Sequence, residues 1–339
     1  MEIDGAGGEG GGQMLRTALS LSCATQKPFS IVNIRANRPK PGLAAQHLTA
    51  VGAAARICGA EVKGAALGSK ALVFAPGKMM AGNYCLDIGT AGSVSLVVQT
   101  IALPLSLTGK RSQIYIKGGT DVKWSPPVDY LRRIFLKQFS KSGPKVCVET
   151  LRRGYYPKGG GEVRLTVEGS DSINPLVLSE RGNFIGFDIF VASANLPEHV
   201  GERVSEECRR ILSPHGQTRV VVEDWSAKAT GPGVSVLCRA TFEKAILGAA
   251  GVGEKGLKSE DLAKGVCDAL IADWRSGATV DVWGADQFLL PMALGKPGAD
   301  FIAREMTEHA RTNIEVIETF MGKSFEVTGE KGLIKVKRT

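Results

Sequence analysis

The sequence predicts an α+β (α/β) fold in which three repeated units pack around a common axis, with a small α/β domain inserted. Three observations carry this expectation. One order of parts recurs three times: a Gly/Ala/polar turn, a helix, a strand, a second helix and further strand. The helices are amphipathic or wholly apolar, and the strands are short. Between about Gly182 and Gly277 the rhythm changes. Helices recurring beside short strands bury their apolar stripes by packing on one sheet face.

The first helix of each unit reads GGGQMLRTALSLS, GTAGSVSLVVQTIALPLSL and GADQFLLPMALG. The second reads HLTAVGAAARICGAEV, PVDYLRRIFLKQFSKSG and HARTNIEVIETFMGKSFEV, with apolar residues three or four apart, as at Ile314, Ile317, Phe320 and Met321. Strands are expected at FSIVNIRA, SQIYIKGG, VRLTVEG and GLIKVK, from alternating or continuous apolar runs. The central stretch reads strand (NFIGFDIFVAS), helix (PEHVGERVSEECRRIL), strands (TRVVVED, GVSVLCRATF, AILGAAG) and helix (SEDLAKGVCDALIADW). The expected division is therefore a large domain of residues 1–181 and 278–339, and an insert of 182–277. Insertion is tolerated at exposed loops whose ends lie close together.

Composition narrows the function classes. No apolar run approaches the roughly 20 residues that span a bilayer, so no membrane association is expected. MEIDGAGGEG carries no apolar segment of the secretory kind. Seven scattered cysteines without a CxxC pair favour neither a zinc site nor a disulfide framework, and a cytoplasmic setting is expected. A net charge of +8 favours a polyanionic partner, although a basic soluble surface would give the same sum. With 6% aromatic residues, phosphates rather than bases are expected to dominate any nucleic-acid contact. No obligatory protein partner is evident.

Candidate chemistry gathers at a few places. GEGGGQMLR (Gly8–Arg16) precedes the first helix but lacks the Lys-Ser/Thr ending of a P-loop. RANRPKPG supplies Arg35, Arg38 and Lys40, followed by Gln46 and His47. Arginine holds phosphate by a planar fork, so the cluster suits a phosphorylated ligand; a solvated basic loop is the alternative. His47 and His309 each open a second helix, and Thr307 stands where it would cap the latter. A helix N-terminus favours neutral imidazole, which is a nucleophile, and stabilises a phosphate joined to it. A surface histidine in a first turn is the bland reading. RGYYPKGGGEV (Arg153–Val163) is a second glycine-rich turn, or only a hairpin loop.

GEGGGQMLRTALSLS, RPKPGLAAQHLTAV, RGYYPKGGGEV, ADQFLLPMAL and HARTNIEVIE, in this order, together resemble the RNA 3'-terminal phosphate cyclase family. The resemblance covers nearly the whole chain and implies three βαβαββ-type units with a small insert before the third. It implies an ATP-dependent reaction on RNA bearing a 3'-terminal phosphate: a histidine takes AMP from ATP, AMP passes to the RNA phosphate, and the vicinal 2'-hydroxyl closes a 2',3'-cyclic ester. Residue by residue, it makes His309 the adenylated nucleophile and Glu9 the ligand of a divalent metal, Mg2+ or Mn2+. It assigns Arg16, Arg35, Arg38 and Gln46 to the phosphates and the RNA end. Gln99 and Pro126 would line the adenylate pocket, and Asp286 and Gln287 would contact the nucleotide. Trp283 stands where relatives commonly place a base-stacking tyrosine, and Arg311 follows the histidine where apolar residues are common; solvent is the expected environment of Arg311. A non-catalytic cyclase-like scaffold of ribosome biogenesis is the alternative, and an enolpyruvyl-type transferase, which uses similar repeated units, is a third reading.

Overall fold

The computed structural model describes residues 1–8, 11–330 and 332–339. Three units share one topology. The first runs β1 (Glu2–Asp4), α1 (Gln13–Thr25), β2 (Phe29–Val32), α2 (Ala45–Cys58), β3 (Glu61–Lys63) and β4 (Leu72–Ala75). The second runs β5 (Asn83–Asp87), α3 (Val94–Ser106), β6 (Arg111–Gly118), a composite helix, β7 (Lys145–Arg152) and β8 (Gly161–Glu168). That helix comprises α4 (Val128–Tyr130), a π stretch (Leu131–Phe135) and α5 (Leu136–Phe139). The third begins at β9 (Val177–Leu178) and resumes with α8 (Val282–Leu294), β14 (Asp300–Ala303), α9 (Glu308–Met321), β15 (Phe325–Glu330) and β16 (Leu333–Arg338). In each sheet the order is first, second, fourth, third strand. The first pair is parallel and the other two antiparallel every time. The fold is thus the expected assembly of repeated α/β units.

Residues between β9 and α8 form a further sheet. It contains β10 (Phe184–Ala194), β11 (Thr218–Asp224), β12 (Gly233–Phe242) and β13 (Ile246–Val252), with α6 (Glu198–Leu212) and α7 (Ser259–Ser276). Side chains alternate across a strand. On β10, Phe187, Ile189 and Val191 accordingly join a core shared with α6 and α7, while Phe190 turns to the core of the three units. This stretch falls inside the third unit, between its first strand and its first helix, rather than ahead of that unit.

The first helices are central because most of their surface is apolar or small, and burial satisfies such a surface. Of α3, every residue but Gln99 is buried, and α1 packs against α2, α3 and α9. The second helices stop short of the expected ends. Gly59 (φ 59°) ends α2 and Gly322 (φ 77°) ends α9, so Val62 and Val327 lie on strands. Glycine adopts such angles without a Cβ clash, whereas the apolar spacing runs on past it.

Candidate active site

The site grows from helix N-termini brought together by glycine contacts. Gly12 caps α1, and a Cβ there would lie 2.3 Å from His47 Nε2 and 3.0 Å from Arg16 Nη1. That contact joins the start of α1 to the start of α2. Gly8 has φ +52°, and a Cβ there would lie 2.3 Å from Thr312 Oγ1 on α9. Gly8 and Gly12 are therefore points of close approach, which explains glycine there better than flexibility does. Three positive helix ends meet around them, the arrangement that binds anions.

Polar side chains lock the ends in register. Asn313 Oδ1 accepts from Gln13 Nε2 (3.1 Å) and Thr17 Oγ1 (2.6 Å), and Asn313 Nδ2 donates to the Asp286 carbonyl (3.1 Å). Arg16 Nη2 donates to Gln13 Oε1 at 2.6 Å. Gln46 Oε1 accepts from Ser93 N–H (3.1 Å), tying α2 to the capping residue of α3. At α8, Asp281 is the cap: it accepts from Gly284 N–H (2.9 Å), Tyr130 (2.6 Å) and Gly248 N–H (2.9 Å).

His309 is the second residue of α9, exposed, with Thr307 Oγ1 accepting from Ala310 N–H at 3.0 Å as the expected cap. Thr312 and Asn313 lie three and four residues on, so His309 shares their face of the helix. Those two residues meet Gly8 and Gln13, which sets His309 one helical turn from these contacts. Arg311 is exposed and pairs with Glu308 at 3.5 Å. Arg38 is exposed and Arg35 half-buried, with Arg35 Nη1 donating to the Gly42 carbonyl at 2.8 Å. Glu9, the expected metal ligand, lies outside the described residues.

His47, which opens the second helix of the first unit, is the residue to which the resemblance assigned no role. It is buried, and its Nδ1 accepts from Ala44 N–H at 3.2 Å, capping a helix whose N-cap alanine has no side-chain acceptor. Burial, then the charges of Arg16 and Arg35, push its pKa down to about 3. The ring is therefore neutral at physiological pH, and the bond at Nδ1 leaves its proton on Nε2, facing Gly12. The available signal was the pairing of an uncapped helix start with a histidine at its third position.

A cleft with about 610 Å³ of empty space, open solvent included, lies where α1, α3 and α8 converge. Arg16, Gln99, Asp286 and Gln287 line it over an apolar floor that includes Leu131, Phe135 and Leu290. Gln287 Oε1 is buried and has no hydrogen-bond partner among the described residues. An orphaned acceptor is costly and invites a donor from a ligand. Trp283, 51% exposed, stands one turn before Asp286 and Gln287 on α8, outside the cleft lining. Pro126 also lies outside it, in the loop before α4.

The family model described as RNA 3'-terminal phosphate cyclase matches residues 7–327. The chain belongs to the RNA 3'-terminal phosphate cyclase family. The protein of that name from Archaeoglobus fulgidus is 42% identical over 99% of this chain and 100% of its own length. Those from Trichormus variabilis (43%; 95% of each chain) and Pyrobaculum aerophilum (40%; 98% of this chain, 96% of the relative) carry the same name. Within this cyclase-family chain, the cleft and the meeting helix ends are adjacent, because Gln13, Arg16 and Asn313 belong to both.

The Gly12 contact makes a direct demand. Its φ of −75° suits any residue, so Gly12→Ala tests space alone. The added methyl is expected to displace His47 or Arg16 and slow RNA 3'-phosphate cyclisation at least about tenfold, with an overpacking cost of about 1–3 kcal/mol in stability. Steady-state kinetics beside thermal melting checks this; unchanged turnover would mean that the contact serves packing only.

Proposed function

We propose that the chain converts an RNA 3'-phosphate to a 2',3'-cyclic phosphodiester at the expense of ATP, through a histidine–AMP adduct and an RNA(3')pp(5')A intermediate. The observation that supports this reading is the position of His309 one turn before Thr312 and Asn313, which meet Gly8 and Gln13. ATP is a substrate here. Its base and ribose would occupy the cleft, where the unpaired Gln287 Oε1 suits an N–H donor, with Trp283 and Pro126 at the rim as stacking surfaces. Asp286 would contact the nucleotide. Its phosphates would meet the helix ends, His47 Nε2–H and Arg16.

His309 attacks the α-phosphorus: an N–P bond forms, the bond to the bridging oxygen breaks, and pyrophosphate leaves. The RNA 3'-phosphate oxygen then attacks the same phosphorus and frees the imidazole. Finally the neighbouring 2'-hydroxyl loses its proton, attacks the RNA phosphorus and expels AMP. Arg35, Arg38 and Gln46 would hold the RNA phosphate. Neutral His47 donates a hydrogen bond to phosphate without adding charge, while the guanidinium groups offset developing negative charge.

A divalent ion, Mg2+ or Mn2+, held through Glu9 would neutralise phosphate charge. Among the described residues the one group of three metal-ligating side chains is Cys208, Cys238 and Cys267, in the core shared by α6 and α7. The described part of the site supplies no metal-ligand set of its own, and no step above depends on one. No helix of the described residues is long and apolar enough to cross a membrane. All seven cysteines are free, which suits the cytoplasmic setting we propose. Residues 182–277 would be an inserted domain.

Incubation with ATP labelled on the α-phosphate and Mg2+ or Mn2+, followed by a denaturing gel, tests the reading. An acid-labile, alkali-stable label on the protein is expected of a histidine phosphoramidate. Folded protein that takes no label with either metal would favour the scaffold reading instead.

A further inference from the structure

The RGYYPKGGGEV turn has no task in the chemistry above. It connects β7 to β8, and its two tyrosines face opposite ways. Tyr155 is buried, its hydroxyl donating to the Ala192 carbonyl at 3.1 Å, while Tyr156 is 77% exposed. A second loop, between β6 and α4, lies alongside. Thr120 N–H donates to the Gly154 carbonyl (2.9 Å), Gly154 N–H donates to Thr120 Oγ1 (2.9 Å), and Asp121 bridges to Tyr155. This second loop carries Trp124, which is 90% exposed and has a φ of 64°.

Neither property of Trp124 helps the fold. An exposed indole forfeits its burial, and a left-handed backbone is unfavourable at a bulky residue. Strain retained at such a cost marks a functional position when the surroundings hold it rigidly. Here they do: buried Arg153 is bonded to Asp121 in one loop and to Asp129 just beyond it. Lysines flank the aromatics. Lys123 Nζ sits 5.4 Å from the Trp124 ring centre while pairing with Glu254, and Lys158 is exposed beside Tyr156. Ser125 and Pro157 adjoin the two rings in the chain.

The surface is continuous with the candidate site. A Cβ on Gly159 would lie 2.7 Å from Ala91 Cα, and one on Gly92 would lie 2.9 Å from Gln46 Cβ. Loop 156–160 thus leads through residues 90–92 to Gln46 and His47. Exposed aromatic faces beside lysines are the surface that unpaired nucleotides recognise, by stacking and phosphate contact.

We propose that Trp124 and Tyr156 form a stacking subsite for the unpaired nucleotides on the 5' side of the terminal phosphate, with Lys123 and Lys158 beside their phosphates. This rests on the cyclase reading for the position of the RNA end. The subsite makes the enzyme selective for single-stranded ends long enough to reach it, and for nothing in their sequence.

The test compares a single-stranded oligonucleotide 3'-phosphate with a nucleoside 3'-phosphate, in wild type, Trp124→Ala, Tyr156→Ala and Trp124→Phe. Each alanine variant is expected to raise the oligonucleotide KM about tenfold, the loss of one stacked base. Nucleoside 3'-phosphate turnover and labelling by ATP should not change, and Trp124→Phe should recover most of the loss. Binding of the same oligonucleotide without ATP gives a readout independent of chemistry, with the same about tenfold weakening expected. Alanine variants that bind and turn over the oligonucleotide within twofold of wild type would overturn the proposal and leave the aromatics to a protein partner. Absence of any label on the wild type, with RNA affinity still dependent on Trp124, would overturn the cyclase reading and keep the subsite.

Discussion

His309→Ala is expected to abolish the protein–AMP adduct and to lower RNA cyclisation at least about 10⁴-fold, because a covalent pathway loses its first step with its nucleophile. Stability should move by no more than about 0.5 kcal/mol, since the side chain is exposed on a helix capped by Thr307. The competing nucleophile is His47, and its geometry argues against it. Its Nδ1 lone pair is occupied by Ala44 N–H, and its Nε2 carries the proton, so this tautomer presents no lone pair to phosphorus. His47→Asn should therefore reduce labelling without eliminating it. Mass spectrometry of the labelled peptide decides the matter: AMP found on His47, or a normally labelled His309→Ala protein, would overturn the assignment.

Much of the fold was legible because each unit repeats one order of parts, and apolar spacing reports helices and strands independently of their neighbours. Boundaries were less so. The pattern of α2 continues through Gly59 into Val62, and only the backbone angle at that glycine shows where the helix stops. At the candidate site, the resemblance named Arg16, Gln99, Asp286 and Gln287, which the fold gathers on one cleft. It could not give His47 a role, because that rests on a tautomer set by Ala44 and on contact with Gly12, distant in sequence. Asn313 was missed for the same reason: its partners Gln13, Thr17 and Asp286 lie on two other helices. RGYYPKGGGEV does form a hairpin turn, as one reading had it. What the sequence could not reveal is the buried arginine that anchors it.

Arg153→Met is expected to be the most destabilising single change outside the site, costing about 3–5 kcal/mol. Arg153 is wholly buried; Nη1 meets both Asp121 oxygens at 3.0 and 3.1 Å, and Nη2 meets Asp129. Its guanidinium also lies 5.0 Å from the Trp225 ring, and its backbone N–H donates to the Lys228 carbonyl at 2.8 Å, so it ties the β7–β8 turn to the loop after β11. Methionine fills similar space but takes the cation away from Asp121 and leaves Asp129 to Arg132 and Arg133 alone. Arg153→Lys should recover part of the loss, because one ammonium cannot reproduce two directed contacts. The dependence on pH separates charge from packing. Burial alone would raise the Asp129 pKa, but Arg153 and Arg132 outweigh it and hold the carboxyl well below the usual carboxylate range. A depressed carboxyl contributes its stability above the unfolded value of about 3.9, and that contribution is lost as pH falls towards the folded value. In Arg153→Met the largest charge that depresses the Asp129 carboxyl is gone, so less of this pH-dependent stability remains to be lost on acidification. The difference in melting temperature should therefore be largest at neutral pH and shrink towards pH 3.5. A deficit of equal size at both would mean that Arg153 acts by packing, and that the turn bearing Tyr156 is not held by charge.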